Sequence, residues 1–204
     1  MLPDIKLDQK VVILIDGNNI EHGVRGMMGV ETAMLDYDNF VPKVLMGRAL
    51  NKFLYFREGK QISNKLGRRF HNNFFGSTVP CMKSADIPMT IEAVQLSDKV
   101  DTMIIFTGDG NFVELVRFLK MKGVRVEIAA VKETTSVALL RECDYYHFIT
   151  PDDVFVLEPK PRYDDGQGYY QQEEGGEEYQ SNENEDGGYY QQQAEEQPEY
   201  SEDR

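Results

Sequence analysis

The sequence predicts an α/β fold in which a mostly parallel sheet of five to six strands carries helices on both faces. Two observations support this prediction. Short runs of aliphatic and aromatic residues alternate with longer segments in which apolar residues recur at helical spacing. The short runs are apolar on both faces, which is typical of strands at the centre of a parallel sheet covered by helices. Such alternation builds sheets with right-handed crossovers.

Six segments have the composition of strands, beginning with the continuous aliphatic run at 11–15. The predicted strands are 11–15, 52–56, 78–82, 102–106, 124–130 and 145–149. We predict helices between them, at 36–50, 61–72, 87–98, 112–122 and 136–142. Gly123 directly follows one of these helices, as expected of a residue that ends a helix.

The negative charge of the chain is concentrated at its end. Residues 159–204 carry 14 acidic and 3 basic side chains, whereas residues 1–158 have a net charge of −2. The acidic composition therefore does not exclude nucleic acid as a partner of residues 1–158. Residues 159–204 also contain no Val, Ile, Leu, Met or Phe, so they bury too little apolar surface to fold. We expect a globular domain at 1–158 and a disordered, acidic tail rich in Tyr and Gln at 159–204.

The tail repeats the motif Gly-Tyr-Tyr-Gln-Gln, at 168–172 and at 188–192. Low-complexity sequence of this kind can self-associate or bind a protein partner, and a solvating appendage without specific contacts is the alternative.

A membrane protein and a secreted protein are both disfavoured. The longest apolar runs are too short to cross a bilayer, and the first residues lack a secretory apolar region. Cys81 and Cys143 are therefore expected to stay reduced in the cytoplasm.

Acidic residues follow three of the predicted strands. Asp16 directly follows the first strand, and Asp109 lies shortly after the strand at 102–106. Asp86 lies shortly after the short strand at 78–82. Because ligands bind at the carboxyl ends of parallel strands, we expect these three side chains to lie at one edge of the sheet. Clustered carboxylates repel one another, and a hard cation such as Mg²⁺ or Mn²⁺ neutralises them.

Each acidic residue also has a structural explanation. Asp16 could form only an Asx-turn, and Asp86 could cap the helix that follows it. Asn111 and Glu114 could form a capping box for the helix at 112–122. The occurrence of three aspartates at three strand ends nevertheless favours a shared site.

Three motifs carry a resemblance to a known family: Val-Val-Ile-Leu-Ile-Asp-Gly-Asn-Asn at 11–19, Lys-Ser-Ala-Asp at 83–86 and Ile-Ile-Phe-Thr-Gly-Asp-Gly-Asn-Phe at 104–112. In this order they resemble the NYN domain family, in its LabA-like branch, over roughly residues 10–150. The resemblance implies a PIN-like, Rossmannoid parallel sheet with an acidic Mg²⁺-binding pocket that hydrolyses RNA phosphodiester bonds.

The resemblance also implies roles for individual residues. Asp16, Asp86 and Asp109 match the metal-binding aspartates of the family. Asn19 matches its pocket asparagine. The family usually has an aspartate where this chain has Asn111, and an amide oxygen ligates a metal without contributing charge. The resemblance therefore predicts a nuclease whose catalytic activity depends on how well Asn111 replaces the usual aspartate.

A basic segment follows the second predicted strand, and Glu58 is the single acid between residues 57 and 71. Its basic residues include Arg57, Lys65, Arg68 and Arg69. Positive charge beside aromatic side chains suits a phosphate backbone and unstacked bases, although an ordinary solvated helix is an equal alternative. Lys83 could bind the scissile phosphate or could only pair with Asp86.

The preferred interpretation is a cytoplasmic Mg²⁺- or Mn²⁺-dependent ribonuclease in which Asp16, Asp86 and Asp109 bind the metal. Asn19 and Asn111 would position ligands or RNA, and the basic residues would bind the RNA. One alternative is a catalytically weak RNA-binding module. Another is a regulatory protein that acts through its tail, through a protein partner or as a homo-oligomer.

Overall fold

The computed structural model describes residues 9–59 and 62–157, in which strands and helices alternate. The strands are β1 (Lys10–Asp16), β2 (Ala33–Leu35), β3 (Ala49–Glu58), β4 (Ser77–Cys81), β5 (Thr102–Phe106), β6 (Arg125–Val131), β7 (Tyr145–Ile149) and β8 (Val154–Val156). The helices are α1 (Gly17–Met28), α2 (Tyr37–Leu45), α3 (Asn64–Phe74), α4 (Asp86–Leu96), α5 (Val113–Met121) and α6 (Val137–Glu142). The chain divides into two units, and the described residues all belong to the first, Met1–Pro161. The tail predicted at 159–204 lies outside the described residues.

Six strands form a parallel sheet in the order β4-β3-β1-β5-β6-β7. In its centre, Ile13 of β1 is paired with Phe53 of β3 and with Ile104 of β5. All three side chains are almost completely buried, as expected of runs that are apolar on both faces. The predicted α/β fold, with a parallel sheet of five to six strands flanked by helices, is confirmed. The strand order reverses between β1 and β5, so a ligand crevice is expected at their carboxyl ends.

The predicted helix at 36–50 is wrong in its second half. α2 ends at Leu45, because Met46 and Gly47 both adopt positive φ angles that turn the chain out of the helix. β3 therefore starts at Ala49, earlier than the aromatic run alone indicated. After a register shift between Val11 and Val12, β3 pairs with β1 residue by residue from Lys52 to Phe56, so it reaches the edge of the sheet where β1 ends.

A second, antiparallel sheet joins β2 to β8, and the sequence pattern does not predict it. Strands of three residues are too short for an alternating pattern to be recognised. Just before β8, the buried Asp153 carboxylate accepts a hydrogen bond from Lys43 Nζ at 2.7 Å. It also closes a capping box with Thr150. These contacts attach the end of the described chain to α2.

Glu127 of β6 is a buried carboxylate at the centre of an ion network. Arg48 donates to both of its oxygens at 2.8 Å, and Arg125 Nε donates to Oε1 at 2.7 Å. His147 Nε2 lies 2.9 Å from Oε2. Burial alone would raise the pKa of Glu127, but these hydrogen bonds hold it well below its usual range. The network joins β6 and β7 to the turn before β3.

α1 begins directly at the end of β1, and Gly17 permits this sharp transition. A Cβ atom at position 17 would overlap the Tyr55 ring and lie 2.8 Å from the backbone oxygen of Phe56. Tyr55 is buried, so its ring has no room to move away. The close approach of α1 to β3 brings the first turn of α1 beside the carboxyl end of β3.

In the described part of the chain, no helix is both long enough and apolar enough to cross a bilayer. Cys81 of β4 is buried and Cys143 is partly buried, and both are free thiols.

Candidate functional site

A cleft of about 780 Å³ opens at the carboxyl ends of the central strands. We call it the strand-end cleft. Four carboxylates at or just after strand ends line it: Asp16, Glu58, Asp86 and Asp109. The three aspartates that the sequence places at strand ends therefore lie on one cleft, at the crevice expected from the reversal of strand order.

Asp16 is the last residue of β1 and the N-cap of α1. Its Oδ1 accepts a hydrogen bond from the Asn19 N–H at 3.1 Å, and its side chain is buried. Burial raises the pKa of Asp16 to about 6, although the hydrogen bond from Asn19 opposes the shift. The charges of Asp86, Asp109 and Glu58 contribute to the same upward shift. The hydrogen bond reaches the third residue along, as in a helix N-cap, and not the second, as in the predicted Asx-turn. Asp16 therefore caps α1 and lies beside the other acidic residues of the cleft.

Asp16→Asn should stabilise the metal-free protein at neutral pH. The folded-state pKa of about 6 exceeds the ordinary value of 3.8, so wild type loses stability as pH rises through this window. Asparagine carries no charge and still accepts the capping hydrogen bond. We expect a gain on the order of 2 kcal/mol at pH 7.5 and little gain at pH 4. Denaturant unfolding of chelator-treated protein at both pH values measures this, and equal differences at both would contradict it.

Asp109 caps the short 3₁₀ turn Gly110–Phe112. Its Oδ1 accepts from the Asn111 N–H at 2.9 Å, and its Oδ2 accepts from Asn111 Nδ2 at 3.3 Å. The predicted capping box at Asn111 is wrong, because α5 begins at Val113 and Phe112 occupies its N-cap position without a side-chain cap. Asn111 is exposed and orients the carboxylate of Asp109.

Asp86 is the first residue of α4, and its N–H donates to Ser84 Oγ at 3.0 Å. The N-cap of α4 is Ala85, which makes no side-chain cap. The alternative explanation of Asp86 as the N-cap of this helix is therefore wrong. Its carboxylate faces the strand-end cleft.

Asn19 connects the first turn of α1 to the loop that follows β5. Its Oδ1 accepts a hydrogen bond from the Gly108 N–H at 2.8 Å. Gly108 leaves no space for a side chain, because a Cβ there would lie 2.8 Å from the Thr134 oxygen. Asn19, in the first turn of α1, thus holds the end of β1 against the loop after β5, which fixes Asp16 relative to Asp109.

Sequence reasoning missed Glu58 as a member of the site. It is the last residue of β3, and its N–H donates to Asn18 Oδ1 at 2.9 Å. The rule that identified the aspartates, an acid at the carboxyl end of a strand, would have identified Glu58 had β3 been extended beyond its aromatic run.

A second charged group, which we call the Glu21 cluster, lies at the same cleft, and the sequence analysis singled out only its Arg57. It consists of Glu21, Arg25, Arg57 and Tyr55. Glu21 Oε1 accepts from the Tyr55 hydroxyl at 2.7 Å and lies 3.0 Å from Arg57 Nη1. Glu21 Oε2 lies 3.2 Å from Arg25 Nη2. The sequence carries one signal of this cluster, the i,i+4 spacing of Glu21 and Arg25 on α1.

The predicted RNA-binding residues do not all lie together. Arg57 lines the strand-end cleft, whereas Lys83 is exposed outside its lining and forms no ion pair with Asp86. Lys65 and Arg68 are exposed on α3, and Arg68 borders a separate depression beside Thr78.

Arg69 is neutralised by contacts with the N-terminal end of α2. One of its nitrogens lies 2.6 Å from Asp38 and 3.4 Å from Asp36. Its guanidinium also lies over the Phe155 ring.

The strand-end cleft offers oxygen donors, which suit Mg²⁺ or Mn²⁺ and not a soft metal. Within residues 9–59 and 62–157, no three His, Cys, Asp or Glu side chains are close enough to hold a metal ion as they are placed. The mutual repulsion that contributes to the raised pKa of Asp16 is the repulsion that a cation relieves. The donor chemistry therefore fits a hard divalent cation.

Comparison with known proteins identifies the family. The NYN domain family matches residues 10–150. A solved protein of unknown function from Vibrio parahaemolyticus RIMD 2210633 has a TM-score of 0.62 and 21% sequence identity, covering 76% of this chain and 100% of that chain. At this identity the likeness shows the fold alone. No curated protein matches the sequence. Because the family match spans more than half of the chain and all four strand-end carboxylates, the chain belongs to the NYN domain family.

Proposed function

We propose that this protein is a Mg²⁺- or Mn²⁺-dependent ribonuclease of the LabA-like branch, which hydrolyses RNA phosphodiester bonds in the cytoplasm. One observation carries the proposal: carboxylates from four strand ends converge on one cleft, and their charges help to raise the pKa of Asp16 to about 6. Perturbed acids that cluster in a cleft are typical of functional sites.

Asp16, Asp86 and Asp109 would hold the cation, with Glu58 beside them. A bound divalent cation activates water and neutralises charge at the scissile phosphate. Asn19 sets the spacing between the end of β1, which carries Asp16, and the loop after β5, which carries Asp109. Its own amide faces the cleft beside them.

Lys65 and Arg68 on α3, together with Lys83 and Arg69, are the proposed contacts for RNA outside the strand-end cleft. Lys65, Arg68 and Lys83 have exposed side chains, as contacts to a phosphate backbone require. Arg69 is the weakest of the four, because its contacts with Asp36 and Asp38 already satisfy much of its charge.

Cleavage of end-labelled single-stranded RNA by the full chain tests the proposal. We expect products with Mg²⁺ or Mn²⁺ and none in chelator. Metal-dependent RNA binding without cleavage would favour the RNA-binding module, the alternative that the exposed Asn111 supports. Regulation through the tail is tested separately by removing residues 159–204, which lie outside the described residues.

Asn111→Asp tests whether the missing charge at position 111 limits metal binding and cleavage. The new carboxylate would face Asp109 and lose the Nδ2 hydrogen bond at 3.3 Å. We expect about tenfold tighter Mn²⁺ binding and faster cleavage. We also expect a loss of about 1 kcal/mol of stability in chelator. Calorimetric Mn²⁺ titration and denaturant unfolding measure both effects.

Asn51→Asp is the matched control, because Asn51 is an exposed asparagine near the start of β3, away from the strand-end cleft. It adds the same charge without facing Asp109. Equal effects of the two substitutions would show that residue 111 acts only through net charge.

A further inference from the structure

The Glu21 cluster contains more positive charge than its carboxylate can neutralise. Arg25 and Arg57 both pair with the single carboxylate of Glu21, whose side chain is 9% exposed. Tyr55 already donates a hydrogen bond to the same carboxylate. One guanidinium is enough to neutralise one carboxylate, so the cluster carries one surplus positive charge on the wall of an otherwise acidic cleft.

Both arginines also have unsatisfied donors. The Nε atoms of Arg25 and Arg57 are buried, and none of the described residues accepts a hydrogen bond from either. A buried donor without an acceptor is destabilising, and native proteins contain only a few such groups. Yet the side chains remain 34% and 24% exposed and line the cleft. A neutralising role for Glu21 alone does not explain these features.

The chemistry of the surplus charge points to a phosphate. A guanidinium presents several N–H donors in a planar fork that matches phosphate oxygens. The face of α1 beyond Arg25 leaves room for such a ligand, because a Cβ atom at Gly26 would meet nothing within 4 Å.

The cluster adjoins the carboxylates at Arg57, which directly precedes Glu58, but Glu21 and Arg25 lie farther along α1. With a rise of 1.5 Å per residue, Glu21 lies about 7 Å and Arg25 about 13 Å along α1 from Asp16. Successive nucleotides of a stacked strand rise about 3.4 Å, so this offset corresponds to roughly two to four nucleotides.

We propose that Arg25 and Arg57 bind a backbone phosphate of the nucleic-acid strand a few nucleotides from the cleaved bond. Glu21 and Tyr55 orient the two guanidinium groups and contact no substrate. The identity of the strand as RNA rests on the proposed function. The contact itself is to phosphate, so a DNA strand of equal length should show the same dependence on both arginines.

Binding of a labelled 2′-O-methyl RNA, measured by fluorescence anisotropy with Mg²⁺ over a range of salt, tests this subsite. The integrity of the strand is checked on a gel after each titration. Arg25→Gln and Arg57→Gln should each weaken binding about tenfold at low salt. Each should also lower the slope of log K against log salt by about 0.7. The double variant should lose less affinity than the product of the two single losses predicts, because both residues bind the same phosphate.

Two variants control the interpretation. Arg117→Gln removes an arginine of α5 that pairs with Glu114 and Glu142 outside the cleft, and it should leave affinity and slope unchanged. Arg25→Lys keeps the charge but not the planar fork, so it should keep the slope and lose part of the affinity. Thermal melting shows that each variant is folded before it is compared.

Affinities and slopes of the Arg25→Gln and Arg57→Gln proteins equal to those of Arg117→Gln would overturn the subsite. If the two arginines were needed to bind inorganic phosphate but not to bind the strand, the assignment of the subsite to a nucleic-acid strand would be overturned. Arginine-dependent binding without cleavage under any metal would support the subsite and refute the nuclease. The two proposals therefore fail separately.

Discussion

Asp86→Asn and Asp109→Asn should each reduce metal-dependent RNA cleavage by at least about a hundredfold. Each change removes a full charge from the oxygen donors of the strand-end cleft while keeping the size of the side chain. The asparagine at 109 still accepts the hydrogen bond from the Asn111 N–H through Oδ1. Single-turnover cleavage at saturating RNA, measured over an Mg²⁺ or Mn²⁺ titration, separates lost metal affinity from lost turnover.

Stability in chelator should change little in either variant, because two effects oppose each other. Removing one carboxylate relieves repulsion within the cleft. At Asp86 it also removes a favourable negative charge from the first turn of α4, which is worth about 0.3–1 kcal/mol. Asp98→Asn is the matched control, since Asp98 is exposed and, among the described residues, pairs only with Lys122 at 3.4 Å. Unaltered metal binding and cleavage in both cleft variants would falsify the assignment of the metal site.

Glu127→Ala should destabilise the protein by about 3–5 kcal/mol, because it breaks a buried ion network. Arg48, whose side chain is 8% exposed, would be left buried without its bidentate partner. Glu127→Gln keeps the shape and should cost less, although it still removes the charge from between two guanidinium groups. Denaturant unfolding at pH 7 measures both, and Glu114→Gln on the exposed face of α5 serves as the control.

The pH dependence of this contribution follows from the direction of the pKa shift. The folded-state pKa of Glu127 lies below its ordinary value of 4.5, so its stabilising effect is complete above about that pH. Below that pH it declines progressively, and it is lost once pH falls below the folded-state value. Wild type should therefore keep its advantage over Glu127→Gln throughout mild acid and lose it in strong acid. If the stability advantage of wild type over Glu127→Gln disappeared above pH 5, the proposed role of the ion network would be wrong.

The sequence predicts the parts of the site that depend on strands with strong patterns. The run at 11–15 and the run at 102–106 are apolar on both faces, so their ends, and with them Asp16 and Asp109, could be located. Glu58 was missed because β3 continues through the charged residues after its aromatic run. The pattern that identifies a buried strand fails where the strand emerges at the edge of the sheet.

The Glu21 cluster could not be predicted as a unit for a different reason. Glu21 and Arg25 are ordinary polar residues on a helix, and no periodicity links them to Arg57. Their association arises because α1 packs closely on β3 at Gly17. Likewise, the cap at Asp109 and the role of Asn111 depend on a 3₁₀ turn of three residues, which shifts the start of α5.

The hydrogen bond from Gly108 to Asn19 has a consequence for mutagenesis and redesign. A mutational scan that records turnover alone would show the same loss of activity at Asn19 as at an aspartate that binds the cation. The Oδ1 atom of Asn19 nevertheless serves to join α1 to the loop after β5. Libraries intended to change substrate or metal preference should therefore keep positions 19 and 108 constant, as part of the scaffold. Diversity is better placed at Glu58 and Asn111, where side chains can change without separating β1 from β5.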